Sequence, residues 1–155
     1  MNNEKIGMTG RLQLNQFRNG ELIDFRDISN TVVTIGKSMA AAGIVADVNA
    51  GSAIDWMAIG IGSATITAGD TTLGSEYLKI GIGSVAGTRI TTAVTDDTAQ
   101  FIGSFHIDAT KAVNEAGLFN ASGLNTGSMY CRTCFANLNV ADGDQINGTW
   151  TIAFA

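Results

Sequence analysis

Apolar and polar residues alternate with period two along much of the chain. Arg11-Leu-Gln-Leu-Asn-Gln-Phe17 puts every second side chain on one face, and Leu22-Ile-Asp-Phe-Arg-Asp-Ile28 roughly repeats the pattern. Such alternation belongs to half-buried strands. Between the two stands Arg18-Asn19-Gly20-Glu21. Asn-Gly suits a type I′ turn, whose two central positions both need positive φ. The segment 11–28 therefore reads as a hairpin. After it, Ser29-Asn30-Thr31 offers N-cap side chains, and Val32, Ile35, Met39 and Ala42 follow helical spacing through an Ala run. This predicts one short helix over about 31–43, with Gly43 as its stop.

Beyond a small-residue loop the pattern returns to strands. They are expected at 54–61, 77–82, 89–95, 98–107, 113–119, 128–140 and 145–154. A long polar connection, Gly62 to Glu76, and turns at Asp96-Asp97 and Asp142-Gly143-Asp144 separate them. Short strands at roughly ten-residue spacing point to an all-β sandwich or barrel. Parallel strands would need helical crossovers, and no further helical pattern exists. The expected fold class is mainly β: an antiparallel β-sandwich or barrel-like domain with an N-terminal hairpin and one short α-helix. Residues 1–10 have no period and read as a flexible arm; residues 11–155 read as a single domain.

Composition sharpens this picture. Of 155 residues, 45% are hydrophobic but only 15% charged, and 19 are Gly while none is Pro. About 25% charge and about 5% Pro are usual. A chain this apolar is not intrinsically disordered. Nine basic against fourteen acidic residues give a net charge of −5. A nucleic-acid partner is not expected, because binding phosphates calls for a basic excess. No apolar run of 18 residues is present, and the start lacks the apolar core of a signal peptide, so neither a membrane partner nor export is expected.

Candidate chemistry is sparse. Cys131-Arg-Thr-Cys134 lies inside an expected strand, where residues three apart point to opposite faces. The two thiols should not meet. With His106 as the one histidine, a four-ligand zinc site is short of donors. His106 itself should face outward, since Phe101, Gly103 and Phe105 take the inward positions. The carboxylates Asp24/Asp27, Asp96/Asp97, Glu115 and Asp142/Asp144 fall largely at turns, where Asp bonds the local backbone. Ile59-Gly-Ile-Gly-Ser63, echoed at Ile80–Ser84, has no following helix and so is not a dinucleotide fingerprint. It reads instead as strand where another backbone approaches closely. Trp56 and Trp150 should fill the core. No catalytic, cofactor-binding or metal-ligating residues are expected, and no cofactor.

The order of motifs resembles bacteriophage virion proteins. The pieces are Arg18-Asn-Gly-Glu21, Ile28-Ser-Asn-Thr-Val-Val33, and Trp56-Met-Ala-Ile-Gly-Ile-Gly-Ser63 with Ala68-Gly-Asp-Thr-Thr-Leu-Gly-Ser-Glu76. Asp97-Thr-Ala-Gln-Phe101, Asn114-Glu-Ala-Gly-Leu-Phe-Asn120 and Gly143-Asp-Gln-Ile-Asn-Gly-Thr-Trp-Thr-Ile152 continue the order. The resemblance spans roughly 11–154 and covers head decoration (cement) proteins and tail-fibre or collar components. It implies a non-enzymatic role on the virion, with the major capsid protein and further copies of the chain, as a homotrimer, for partners. Within it Asn114, Glu115 and Gly117 are expected to form a tight turn that presents Glu115 beside the sheet. Cys131 and Cys134 depart from the small or apolar residues usual there. The expected arm supplies the candidate capsid-contact residues Met1, Asn2, Asn3, Glu4, Lys5 and Ile6, which could order on docking. The chain carries no stalk beyond its last strand, which favours head decoration over a fibre. The alternative is a tail module that binds a receptor glycan, for which Trp56 or Tyr77 would have to face outward.

Overall fold

In the computed structural model, which describes residues 7–44, 53–82 and 87–154, the alternating segments are strands. The hairpin consists of β1 (Met8–Arg18) and β2 (Glu21–Val32). Asn19 and Gly20 take φ of 53° and 83°, the left-handed pair that a type I′ turn demands. Helix α1 (Thr34–Ile44) follows, then β3 (Trp56–Gly60), β4 (Glu76–Gly81), β5 (Thr88–Ile90), β6 (Thr98–His106), β7 (Lys111–Phe119), β8 (Met129–Val140) and β9 (Gln145–Phe154). All pairings are antiparallel, in the order β4-β3-β7-β8-β2-β1-β9-β6-β5. The protein is mainly β, one curled nine-stranded antiparallel sheet.

Strand β2 is the corner of the curl. Its first part, Glu21 to Asn30, pairs with β1, while Thr31 and Val32 pair with Arg132 and Cys131 of β8. Beyond this junction the sheet has two halves that face each other. Leu12 and Leu14 of β1, Phe101 and Phe105 of β6, and Ile146, Trp150 and Ile152 of β9 bury against Met57 and Ile59 of β3, Val113 and Leu118 of β7, and Leu138 of β8. Gly148 of β9 lets the halves close, since a Cβ there would stand 2.8 Å from the Met57 sulfur. A smaller cluster (Val33, Ala58, Leu73, Phe119 and Met129) forms on the opposite face of the β3–β7–β8 half. That half is thus covered twice, by the facing sheet and by the segment 61–75 with α1.

Four expectations need correction. Residues 8–10, expected in the arm, belong to β1, because Met8, Thr9 and Gly10 pair with Phe154, Ala153 and Ile152 of β9. The expected contact residues Met1 to Ile6 lie outside the described residues. The helix starts at Thr34, not near 31. Ser29 and Asn30 continue β2, where the Ser29 carbonyl accepts the Thr133 hydroxyl at 2.9 Å and the Asn30 side chain accepts the Trp150 indole N–H at 3.1 Å. The Val33 carbonyl accepts the Lys37 N–H and opens the helix instead. The strand expected at 89–95 stops at Ile90, since Asp97 draws the backbone N–H groups of Thr92, Ala93 and Val94 into a loop at 2.8–2.9 Å. Finally, Asn114, Glu115 and Gly117 form no tight turn. They run inside β7, where a register shift between Val113 and Glu115 sets Asn114 at a bulge.

Candidate functional site

Two features could carry function: a buried ionic centre under the segment 61–75, and the outer face of the half formed by β2, β1, β9, β6 and β5.

Antiparallel register builds the ionic centre. Glu115 lies opposite Gly60 of β3 on one side and Cys134 of β8 on the other. Its side chain points away from the inter-sheet core, toward the segment 61–75, and is fully buried. Oε1 accepts the backbone N–H groups of Gly62 and Ser75, both at 2.8 Å. Oε2 accepts the Gly74 N–H at 2.9 Å and the Arg132 guanidinium at 2.7 and 3.2 Å. Gly60 and Gly62 are needed because a Cβ at either would come within 2.4–2.6 Å of Oε1. The Gly-Ile-Gly run does allow a close approach, by the backbone of Gly74 and Ser75 and by the Glu115 carboxylate together.

Arg132 completes the centre. It is 2% exposed and donates to Asp70 Oδ2 at 2.7 Å and to the Ala64 carbonyl at 3.3 Å. Burial works against its charge, but the bonds to Asp70 and Glu115 outweigh that and hold the guanidinium more basic than usual. Burial also pushes the Asp70 carboxyl up; the Thr67 hydroxyl and N–H, and then Arg132, bring it below its ordinary range. With five donors on its two oxygens, Glu115 has no unengaged lone pair directed at a cavity. The centre is a staple that ties one long connection to the sheet.

Other polar residues are committed in the same way. Asp144, 2% exposed, caps its own turn by accepting the Ala141 N–H, and it also accepts Gln16 and Arg18. The Arg18 bond is the main reason its carboxyl sits well below the usual range. Backbone N–H groups, that of Val94 foremost, depress Asp97 likewise. Lys79 lies 4.1 Å from the Phe119 ring centroid, donates to the Gly123 and Thr126 carbonyls, and stands 3.1 Å from Glu76. Cys131 belongs to the core, and burial raises its thiol well above the ordinary value. Cys134 lies on the other side, against the Ala64 carbonyl at 3.5 Å. Burial is the main cause that raises its thiol too. His106 is exposed, as expected from the inward Phe101 and Phe105. Trp150 is fully buried; Trp56 is half-buried with its ring 3.4 Å from the Cβ position of Gly81. The hydroxyl of Tyr77, also half-buried, donates to Asp108 at 2.5 Å.

The second feature follows from the pairing of β1, β9 and β6. Side chains that point away from the core form rows across the strands: Gln100, Thr151, Arg11 and Ser29; then Ile102, Thr149, Gln13 and Asp27; then Ser104, Asn147, Asn15 and Phe25. Amides and hydroxyls dominate. The charges within these rows, Arg11 and Asp27, neutralise each other as a two-pronged ion pair. Asn147 anchors one end, accepting Ser104 at 2.8 Å and Gln145 at 2.7 Å. The face has shallow depressions open to solvent, the larger about 710 Å³ and lined by Asn15, Ile102, Ser104, Gln145, Asn147 and Thr149 among others.

Sequence reasoning missed the Glu115–Arg132–Asp70 centre, which joins residues 17 and 62 positions apart. The one available signal was the placement of single charges inside apolar strands, Glu115 after Val113 and Arg132 after Cys131. Among the described residues no group of three or more His, Cys, Asp and Glu is arranged to hold a metal ion. In comparisons with known proteins, no family model, no curated protein and no solved structure matches the chain.

Proposed function

We propose that the protein is a non-enzymatic virion component of a bacteriophage, a decoration protein that binds the outer surface of the head at subunit junctions and stabilises it. The observation that carries this reading is the nearly neutral face of amides and hydroxyls on β1, β9 and β6. Burying such a face against another protein desolvates few charges, so contact costs little electrostatically while each amide can find a partner. The order of motifs, which resembles that of phage virion proteins, supports the same reading. So does the commitment of Glu115, Asp70 and Asp144 to internal hydrogen bonds, which leaves those carboxylates holding loops in shape.

A decoration protein gains strength from many copies, each contributing a modest contact at a symmetric junction. The test is co-sedimentation with empty capsids. Saturation at a fixed ratio of chain to capsid subunit supports the reading. A chain that ignores capsids but is retained on host cell-surface glycans overturns it in favour of a tail module.

A further inference from the structure

Strand β2 is a long edge with one backbone partner over most of its length. Among the described residues, Glu21 to Ile28 pair with β1 alone, and β8 joins β2 only at Thr31 and Val32. Leu22, Ile23 and Phe25 stand 55%, 47% and 47% exposed along this free edge. Natural edges are usually blunted with Pro, with charged side chains, by bulges, or by being kept short. This chain has no Pro and β2 has twelve residues, so its protection rests on its charges, which are of both signs and therefore open to pairing with a complementary strand.

The centre of the edge is held by its own side chains and by one bond to β8, from Arg26 Nη2 to the Asn137 carbonyl at 3.3 Å. The Phe25 N–H donates to Asp24 Oδ1 at 2.7 Å, and the Phe25 carbonyl accepts Arg26 Nη1 at 3.2 Å. Asp24 and Arg26 also form an ion pair. The strand is self-complementary about Phe25. In an antiparallel pair related by a two-fold axis there, Asp24 meets Arg26 of the other copy on both sides. Leu22 meets Ile28, and Phe25 meets Phe25. Moving the axis by one residue either way sets Asp24 on Asp24 or Arg26 on Arg26, which like-charge repulsion disfavours.

We propose that this edge docks a second copy of the chain, as an antiparallel β2–β2 pair centred on Phe25. Docking exchanges two Asp24–Arg26 ion pairs, one within each chain, for two such pairs between chains. It frees the Phe25 N–H and carbonyl to bond their counterparts, and the apolar side chains of the edge cover one another. The contact is isologous and closes on itself, so it yields a dimer and not a filament. It goes beyond the capsid reading and does not depend on it.

The test uses the full chain in solution. Sedimentation equilibrium should show a dimer for the native chain and at least about tenfold weaker self-association for D24R or R26D, each of which creates like-charge contacts. The double variant D24R/R26D should restore the dimer. Mild copper–phenanthroline oxidation should crosslink F25C into disulfide-linked dimers well beyond the native chain, whose Cys131 and Cys134 serve as the control. I23C, which faces Asp27 of the other copy, should not crosslink beyond that control. Circular dichroism checks that each variant is folded, and the F25C crosslink needs no charge reversal. A monomeric native chain, a dimer in which R26D associates as tightly as native, a double variant that stays monomeric, or I23C crosslinking as readily as F25C would each overturn the proposal.

Discussion

Replacing Glu115 with alanine removes the group on which the segment 61–75 converges. The carboxylate accepts three backbone N–H groups, from Gly62, Gly74 and Ser75, and two guanidinium bonds from Arg132. Arg132 would keep Asp70 and the Ala64 carbonyl but lose its partner on the sheet, while only 2% exposed. Removing one member of a buried pair costs about 3–5 kcal/mol. Each stranded N–H adds about 1–3 kcal/mol unless it reaches water. The segment can lift away and rehydrate, so its amides escape most of that second cost. The expected loss is therefore about 4 kcal/mol, a large share of the roughly 5–15 kcal/mol that holds a domain folded. Urea unfolding followed by the fluorescence of Trp56 and Trp150 gives the global number. Hydrogen exchange locates it, with the amides of Gly62, Gly74 and Ser75 losing protection first. A midpoint within about 1 kcal/mol of native, with those amides still protected, would refute the view that Glu115 holds the connection.

Gly36 packs against β8 so closely that a Cβ would stand 2.0 Å from the Tyr130 carbonyl oxygen. Gly36→Ala should therefore destabilise by about 1–3 kcal/mol in thermal melts, although Ala in place of Gly within a helix ordinarily gains about 1 kcal/mol. Lys79→Met removes the cation 3.1 Å from the Glu76 carboxylate, whose oxygens have no hydrogen-bond partner among the described residues, and should cost about 3–5 kcal/mol with faster exchange at Gly123–Ser128. Asp144 and Asp97 are both held below their ordinary range in the folded chain. Their contribution is fully present above the unfolded Asp value near 4 and drains away as pH falls below it. Denaturation midpoints should thus be flat between about pH 5 and pH 8 and decline below about pH 4, with a shallower decline in Asp144→Asn.

Local patterns were legible where local physics decides. The β1–β2 hairpin followed from period two and the Asn19-Gly20 turn, and β9 fell at 145–154 because its alternation is unbroken. The helix start was misplaced because Ser29 and Asn30, residues that can cap a helix, continue β2, where Thr133 bonds the Ser29 backbone carbonyl and Trp150 the Asn30 side chain. The 89–95 segment looks like a strand until Asp97 collects its N–H groups. Asn114-Glu-Ala-Gly has turn composition, yet Glu115 is inside a strand because Arg132 and three distant N–H groups satisfy it there. Each miss involves a side chain whose partner lies far along the chain, which periodicity does not encode. The neutral outer face was implied by the low charge content, but its rows exist only through the registers of β1, β9 and β6.

The central claim is that this outer face binds a capsid. Thr149 lies at its middle, between Ile102 and Gln13. Thr149→Arg would place a bulky charge on the neutral face without touching the core. The deciding measurement is co-sedimentation of the native chain and of Thr149→Arg with empty capsids of the cognate major capsid protein, alongside melts of both. The native chain should saturate the capsids at a fixed ratio, and the variant should melt like native yet stay in the supernatant. A native chain that remains in the supernatant, or a variant that sediments as the native chain does, would contradict the account.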